Sequence, residues 1–332
     1  MPSSHPYSCL RLPTDAPFEL RPSAGKGWGV FATRRIARGA LILKENPLFI
    51  IRKHPAHITE QDVWQAFQQL PSKEKEQFLL LRDNSVKPFA SMNAACAENS
   101  FSLATPEKSK KSKAPAHGLF LLHSRFNHSC LPNAKIPTVE GESIKSFAVR
   151  DILPGEEITI CYEPDFQCRP RLERHQILRF TCDCEACQPG TLFQQLSDSR
   201  RRLIRGLEYL TQGKDLDSER RDSSPPLIID PALKHAAETF EIPVSSRLIY
   251  RLLSVVLLDD EGLLDDFMLQ RLWPGISTLA GAFGSKENAM IAQLALEQDT
   301  WVKKLEVAFK LFGRRDPIDV AFAEILRLKR GN

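Results

Sequence analysis

Three cysteines within six residues, Cys182, Cys184 and Cys187, constrain the fold of this chain more than any other feature of the sequence. Cysteines at this spacing are typical of a metal site in a reducing compartment, with unliganded loop cysteines as the alternative. Structural zinc takes four ligands in a tetrahedral arrangement, so the fold has to bring one more ligand to them. The spacing leaves that ligand open among Cys9, Cys96, Cys130, Cys161, Cys168 and the histidines.

The cysteines are distributed unevenly along the chain. Six of the eight lie between Cys130 and Cys187, and none follows. No apolar run approaches the roughly eighteen residues of a membrane span, and the N-terminus lacks the regions of a signal peptide. We therefore expect a soluble intracellular protein with reduced cysteines, which favours a metal site over disulfides. The length of 332 residues fits two domains, with the metal in the N-terminal half.

The charge balance of the chain is mild. A net charge of +4, with 42% hydrophobic and 26% charged residues, is ordinary for a globular protein. A dedicated nucleic-acid binder usually carries a strong basic stripe, so we expect no direct nucleic-acid binding. We expect no membrane association either. The lysine-rich run at 107–113 is consistent with a solvated loop, a nuclear localisation signal or a docking patch for an acidic partner.

Apolar spacing and turn signals divide the chain into strand-rich and helical parts. Residues 1–16 are rich in proline and serine and are expected to form a flexible N-terminal arm. Strands are predicted at 18–21, 30–33, 40–44, 48–52, 143–150 and 157–162. Helical spacing predicts a helical insertion over 56–97 and a charged helix at 170–178. From residue 191 on the spacing is helical throughout, with helices predicted at 192–211, 231–240, 245–258, 263–272, 287–311 and 317–329.

Four blocks of sequence resemble, in order, the motifs of SET-domain protein lysine methyltransferases. They are K-G-W-G-V-F-A at 26–32, R-F-N-H-S-C-L-P-N at 125–133, G-E-E-I-T-I-C-Y at 155–162 and F-T-C-D-C-E-A-C at 180–187. The resemblance covers about residues 17–190 and is specific because four motifs occur in the same order. The insertion and the arginine-rich helix before the cysteines most resemble the group that combines SET and MYND domains, and its fungal relatives.

A MYND zinc finger is not expected in this chain. Residues 52–98 offer only His54, His57 and Cys96 as zinc ligands, whereas such a finger would need many more. Functions tied to that module therefore do not carry over.

The resemblance implies an α+β fold with four parts. A strand-rich SET domain of small twisted sheets and a pseudoknot is expected over 17–163, with the helical insertion inside it. A zinc-binding post-SET segment is expected over 164–190. An all-α C-terminal domain is expected over 191–332, and the related group offers a tetratricopeptide-like arrangement as its model.

The resemblance also implies a zinc site and a cofactor. In the family, the cysteine of the N-H-S-C motif joins the three later cysteines on one structural zinc ion, which gives the ligands Cys130, Cys182, Cys184 and Cys187. The cofactor is S-adenosylmethionine. The residues of this chain that match cofactor-binding positions are Lys26, Gly27, Trp28, Asn99, Asn127, His128, Tyr162 and Phe180.

Tyr162 is the catalytic residue that the resemblance implies. The reaction is in-line displacement by a neutral lysine amine on the methyl group of the sulfonium, and the protein mainly positions the two reactants. A tyrosine hydroxyl can orient the methyl group and stabilise its charge. Ile160 aligns with a position that influences how many methyl groups are added, and an aliphatic residue there leaves the product state open. Glu156 and Glu157 are interpreted as solvated turn charges.

These observations predict an S-adenosylmethionine-dependent protein-lysine N-methyltransferase. Its substrate would be a lysine of a histone or of a non-histone protein, and the sequence does not choose between them. We expect a monomer in the nucleus, the cytoplasm or both. The alternative function is a non-catalytic SET-fold scaffold that binds other proteins.

Overall fold

The computed structural model describes residues 6–81, 91–103, 116–137, 143–178, 180–213 and 230–282. The lysine-rich run and the helices predicted at 287–311 and 317–329 lie outside this part of the chain. The chain divides into two compact units, one formed by Met1–His128 and Pro132–Ile160, the other by Ser129–Leu131 and Cys161–Asn332. Within the described residues, every helix is too short or too polar to cross a membrane.

The first unit contains strands and three short helices. In chain order they are β1 Phe18–Ser23, β2 Gly27–Ala32, β3 Leu41–Glu45, β4 Ile50–Ile51, α1 Glu60–Gln68, α2 Ser72–Leu79, α3 Met92–Asn99, β5 Ser100–Leu103, β6 Ala116–Leu119, β7 Asn127–His128, β8 Ala134–Lys135, β9 Ile144–Ala148 and β10 Glu157–Ile160. The strands form three small sheets in the orders β1-β2-β10-β7, β3-β9-β8 and β4-β6-β5. The predicted strand-rich domain with a helical insertion is thereby confirmed.

One sheet brings three of the four sequence blocks together. The β2 strand carries the glycine-rich block and pairs antiparallel with β10, with Val30 opposite Ile158. On its other side β10 pairs parallel with β7, with Ile160 opposite His128. The blocks at 26–32, 125–133 and 155–162 therefore lie on neighbouring strands, although more than ninety residues separate the first two.

The core of the first unit also includes the N-terminal segment. Tyr7 and Leu10 are buried in the same apolar cluster as Val30, Phe126 and Ile158. Burial of two large apolar side chains stabilises this segment on the unit. The described part of residues 1–16 therefore differs from the flexible arm that its proline and serine content suggested.

The start of α1 shows why the sequence folds locally as predicted. Thr59 accepts a hydrogen bond from the backbone N–H of Asp62, and the Asp62 carboxylate accepts one from the backbone N–H of Thr59. This reciprocal pair satisfies two backbone donors that a helix start leaves open. The helix then buries Val63 against Phe78 in the core of the insertion.

The second unit is helical in its described part. Its helices are α4 Arg171–Leu178, α5 Leu192–Gln212, α6 Pro231–Glu238, α7 Val244–Asp260 and α8 Asp266–Ala282. The predicted all-α character is confirmed for these residues. The end of the helix predicted at 263–272 is wrong, because α8 continues through Pro274 to Ala282. Proline usually ends a helix, and here burial of Leu272, Ile276 and Leu279 on one face of α8 favours its continuation.

Candidate functional site

Four cysteine sulfur atoms meet in the second unit. The Sγ atoms of Cys130, Cys182, Cys184 and Cys187 all lie within 4.8 Å of one another. The Sγ of Cys130 is 4.0 Å from that of Cys182 and 3.5 Å from that of Cys187. With zinc–sulfur bonds of about 2.3 Å, the sulfur atoms of a tetrahedral site are about 3.8 Å apart. The cluster therefore has the donor set and the spacing that zinc requires.

The remaining cysteines lie elsewhere. Cys9 is exposed, and Cys96 is buried in the core of the helical insertion. Cys168 packs among the helices, and the Sγ of Cys161 donates to the carbonyl oxygen of Glu163 at 3.2 Å. Among the described residues, the four grouped cysteines are thus the same four that the resemblance implies.

The thiols of the cluster cannot all ionise by themselves. Hydrogen bonds from the other three thiols raise the pKa of Cys130, and its burial adds to this effect. The hydrogen bond with Cys130 lowers the pKa of Cys184 to about 7. One thiolate is therefore stabilised by its neighbours while further ionisation is opposed. A divalent cation at the centre would supply the charge that four thiolates need.

Two buried arginines hold the cysteine segments in place. Arg174 in α4 donates from Nη2 to the carbonyl oxygen of Ala186 at 2.9 Å and to the Sγ of Cys187 at 3.4 Å. Burial alone would lower the pKa of Arg174, but attraction to Cys130 and Cys187 raises it on balance. Arg201 in α5 donates to the carbonyl oxygens of Phe166 and Cys130 at 2.6 Å and 3.0 Å. Sequence reasoning missed both residues, because it predicted these two helices without assigning partners to their arginines.

A second group of polar contacts lies on the β2-β10-β7 part of the first unit. The amide nitrogen Nδ2 of Asn127 donates to the carbonyl oxygen of Trp28 at 3.2 Å and to Oε1 of Glu157 at 2.7 Å. The other carboxylate oxygen of Glu157 lies 3.5 Å from Nζ of Lys26. The interpretation of Glu157 as a solvated turn charge is wrong, since only 17% of its side chain is exposed.

The glycine-rich block makes room for these contacts. Gly25 and Gly27 have φ angles of +73° and +79°, which other residues rarely adopt. A Cβ atom on Gly29 would lie 2.3 Å from Oε1 of Glu157 and 2.9 Å from Nδ2 of Asn127. The turn therefore needs its first two glycines for backbone conformation and Gly29 for the close approach of the other two side chains.

Asn99 and His128 are both buried in the first unit. Asn99 is 1% exposed, donates from Nδ2 to the carbonyl oxygen of Ala95 at 2.7 Å and accepts a short hydrogen bond from Arg125. His128 is 3% exposed and lies on β7. Their expected contacts with a cofactor stay predictions. The contact that the structure gives to the Asn99 side-chain oxygen is the hydrogen bond from Arg125.

Tyr162 and Phe180 form an exposed aromatic pair in the second unit. Their ring centroids are 6.5 Å apart and the rings are inclined by 76°. Tyr162 is 46% exposed and Phe180 is 45% exposed, so both present open ring surface. The predicted strand over 157–162 ends at Ile160, and Tyr162 follows in the connection to the next short helix.

Comparison with known proteins defines the class of this chain. Residues 27–163 match the family model of the SET domain. Residues 27–163 therefore resemble a SET domain, as the blocks at 26–32, 125–133 and 155–162 predicted, and the proteins similar to this chain include lysine methyltransferases.

Two curated relatives illustrate the extent of the similarity. The chain is 47% identical over 76 residues to the zebrafish (Danio rerio) protein-lysine N-trimethyltransferase SMYD5, a match that covers 21% of this chain and 18% of that protein. It is 28% identical over 193 residues to the histone-lysine N-methyltransferase set5 of Schizosaccharomyces pombe, covering 56% of each. The chain thus spans less than two thirds of the length of either relative.

A solved structure was also matched. The histone lysine methyltransferase DIM-5 of Neurospora, a SET domain protein, is 19% identical and covers 45% of this chain and 53% of its own. The TM-score of this match is 0.28.

Proposed function

We propose that this protein is an S-adenosylmethionine-dependent protein-lysine N-methyltransferase. The observation that carries the proposal is the SET domain itself, with its cofactor-facing and catalytic motifs present in order and none of them interrupted. The printed names of the relatives, which describe transfer to lysine in proteins and in histones, support the same reaction.

The proposed cofactor-binding residues follow the motif positions. They are Lys26, Gly27, Trp28, Asn99, Asn127, His128, Tyr162 and Phe180. The amide of Asn127 and the backbone of the glycine turn offer hydrogen-bonding groups suited to an amino acid, and the exposed ring of Phe180 offers a face for a purine. When bound, the cofactor supplies an electrophilic methyl group.

Tyr162 is the proposed catalytic residue. Its side chain is exposed enough to contact a substrate, and its ring is restrained by Phe180. Its hydroxyl would orient the reacting groups, while the substrate lysine would have to lose its proton before attack. Tyr162 therefore acts by positioning and electrostatics and not as a nucleophile.

Zinc is proposed as a structural ion held by Cys130, Cys182, Cys184 and Cys187. The fit of four sulfur atoms to a tetrahedral site supports this assignment. All four positions are occupied by protein thiolates, which leaves none open for a water or a substrate, as is typical of structural zinc. The ion would fasten residues 180–187 to residues 129–131 within the second unit.

The substrate is proposed as a lysine in a protein, histone or non-histone, and the protein is proposed to act in the nucleus, the cytoplasm or both. We expect no direct nucleic-acid binding, because the net charge of +4 is small for this length. We also expect a monomer.

A methyl-transfer assay tests the proposal. The purified protein is incubated with tritiated S-adenosylmethionine and with separate pools of histones and of cytosolic proteins. We expect label in protein lysine, and we expect Tyr162→Phe to lower the rate by at least about a hundredfold. Tyr250→Phe serves as the matched control, since Tyr250 is buried in α7 and should leave the rate nearly unchanged.

Cofactor binding also distinguishes an enzyme from a non-catalytic scaffold. Calorimetry with S-adenosylmethionine on zinc-loaded protein should show binding. Lack of binding would favour the non-catalytic scaffold, and full activity of Tyr162→Phe would remove the role given to this residue.

A further inference from the structure

Glu157 contacts both the glycine-rich block, through Lys26, and the N-H-S-C block, through Asn127. It begins β10, which lies between β2 and β7, and its carboxylate contacts Asn127 on β7 and lies close to Gly29 on β2. Asn133 fixes its backbone from the other side, donating from Nδ2 to the carbonyl oxygen of Glu157 at 2.8 Å and accepting from the backbone N–H of Thr159 at 2.8 Å. Both the backbone and the side chain of Glu157 are therefore restrained.

The contacts of Asn127 determine which way its amide faces. A side-chain amide has two N–H donors on nitrogen and one acceptor oxygen. The two groups next to the Asn127 amide, Trp28 O and Glu157 Oε1, can only accept, so both must face the nitrogen. The reversed amide would place its oxygen against two other oxygens. Oδ1 is consequently the group of Asn127 that remains for another donor.

The contact between Glu157 and Asn127 requires glycine at position 29. A side chain at position 29 would collide with both the Glu157 carboxylate and the Asn127 amide, while Gly29 itself has no positive φ that would otherwise require glycine. The missing side chain thus accommodates the contact between Glu157 and Asn127. This is a second observation, independent of the hydrogen bonds, that the pair is a built feature of the fold.

We infer that Glu157 is a positioning residue for the cofactor, which fixes the Asn127 amide so that Oδ1 receives the ammonium group of the amino-acid part of S-adenosylmethionine. The inference rests on the proposed function and deepens it. An ammonium group has three N–H donors and no acceptor, so it requires oxygen and is repelled by an amide N–H. Without Glu157 the Asn127 amide could rotate and present its nitrogen, which would disfavour the amino acid but not the adenosine.

Two variants separate the position of the Asn127 amide from the charge of Glu157. Glu157→Gln keeps the length of the side chain and an acceptor oxygen but removes the charge. Glu157→Asp keeps the charge but its side chain is one methylene shorter. Its carboxylate therefore cannot reach the Asn127 amide, which Glu157 contacts at 2.7 Å. If Glu157 acts by orienting the Asn127 amide, Glu157→Gln should keep that orientation and Glu157→Asp should lose it.

Two ligands report on the amino-acid end alone. S-adenosylhomocysteine contains the amino acid, whereas methylthioadenosine has the same nucleoside without it. By calorimetry we expect Glu157→Asp to weaken S-adenosylhomocysteine binding about tenfold and to leave methylthioadenosine binding unchanged. Glu157→Gln should bind both ligands within about threefold of the wild type.

The outcomes distinguish this role from the proposed function. Loss of S-adenosylhomocysteine binding in Glu157→Gln but not in Glu157→Asp would mean that charge and not orientation matters. Parallel losses for both ligands would mean general damage. Either result overturns the positioning role. Unchanged binding in Glu157→Asp also overturns it, while the proposed function stands. If the wild-type protein binds no S-adenosylhomocysteine or S-adenosylmethionine, both proposals fail together, which the wild-type titration alone reveals.

Discussion

Arg201 donates a hydrogen bond from Nη2 to the backbone carbonyl oxygen of Cys130 at 3.0 Å. The same guanidinium is paired with Glu261 through Nε at 2.9 Å, and the side chains of both residues are fully buried. The buried Arg201–Glu261 ion pair therefore connects the C-terminal helices to the backbone of Cys130. Such a pair contributes less by attraction than its loss would cost, because removal of one partner leaves a buried charge uncompensated.

Replacement of Arg201 tests this link between the helices and the cysteines. We expect Arg201→Met to lower the free energy of unfolding by about 2 kcal/mol. Glu261 would keep only Arg200 as a charged partner, and the carbonyl oxygens of Phe166 and Cys130 would lose their buried donor. The measurement is urea unfolding of the zinc-loaded protein. Arg201→Met combined with Glu261→Gln should be less destabilised than the single variant, and a single-variant loss below about 1 kcal/mol would contradict the account.

The metal content of the protein tests the cysteine cluster. We expect one zinc ion per chain by elemental analysis, and its loss in Cys130→Ala, since a structural site with three remaining ligands holds zinc weakly. The exposed Cys9 provides the control, and Cys9→Ala should retain the ion. Removal of the metal with a chelator should lower the melting temperature of the wild type but not that of Cys130→Ala. Retention of the ion in Cys130→Ala would show that another group completes the site.

Gly29→Ala tests the close approach on the β2 strand. The added Cβ would lie 2.3 Å from Oε1 of Glu157, so the Glu157–Asn127 contact must break or shift. We expect cofactor affinity to fall at least about tenfold, measured by calorimetry. Gly275→Ala is the matched control, because its Cβ would meet nothing within 4 Å and alanine favours the α8 helix. Equal affinity in the two variants would contradict the prediction.

The first turn of α1 provides a prediction on pH. Hydrogen bonds from Lys53 and from the backbone and side chain of Thr59 lower the pKa of Asp62 from its usual 3.8 to about 2. A lowered pKa in the folded state means that the ionised carboxylate stabilises the fold above pH 3.8 and that this contribution is lost as the pH falls towards 2. The carboxyl carbon resonance of Asp62 should stay in its ionised position between about pH 6 and 4.

Lys53→Met is the control for that titration. Loss of the 2.6 Å contact with Lys53 should raise the pKa of Asp62 towards its usual value. A midpoint near 3.8 already in the wild type would contradict the capping account of α1.

Sequence patterns were most informative where the cause of structure is local. Helical spacing predicted that the insertion over 56–97 is helical, and it predicted α5 to within a few residues. Helix caps and helical faces depend on neighbours three or four positions away, which a sequence displays directly. The helix predicted at 263–272 was too short, because α8 continues through Pro274, where packing of Ile276 and Leu279 outweighs the local cost of proline.

Long-range contacts were less accessible. Glu156 and Glu157 received the same interpretation from the sequence, as solvated turn charges. Only Glu156 fits it, and its carboxylate forms an ion pair with Arg150 at 3.3 Å. Tyr7 looked like part of a flexible arm, yet it lies edge-on to Trp28 with ring centroids 6.3 Å apart. Both differences arise because the contacts join residues that are distant in the sequence and meet only in the folded chain.

By itself the sequence determined the class of domain, the turn made by Gly25 and Gly27 and the three closely spaced cysteines. Only the tertiary structure showed that Cys130 lies beside those cysteines, which the spacing left open and the resemblance implied, that Arg201 donates to its carbonyl oxygen and that Glu157 contacts the Asn127 amide. Each of these contacts joins residues 30 to 71 positions apart. A buried polar group takes whatever partner the fold brings within reach, and that choice is not encoded in any local pattern.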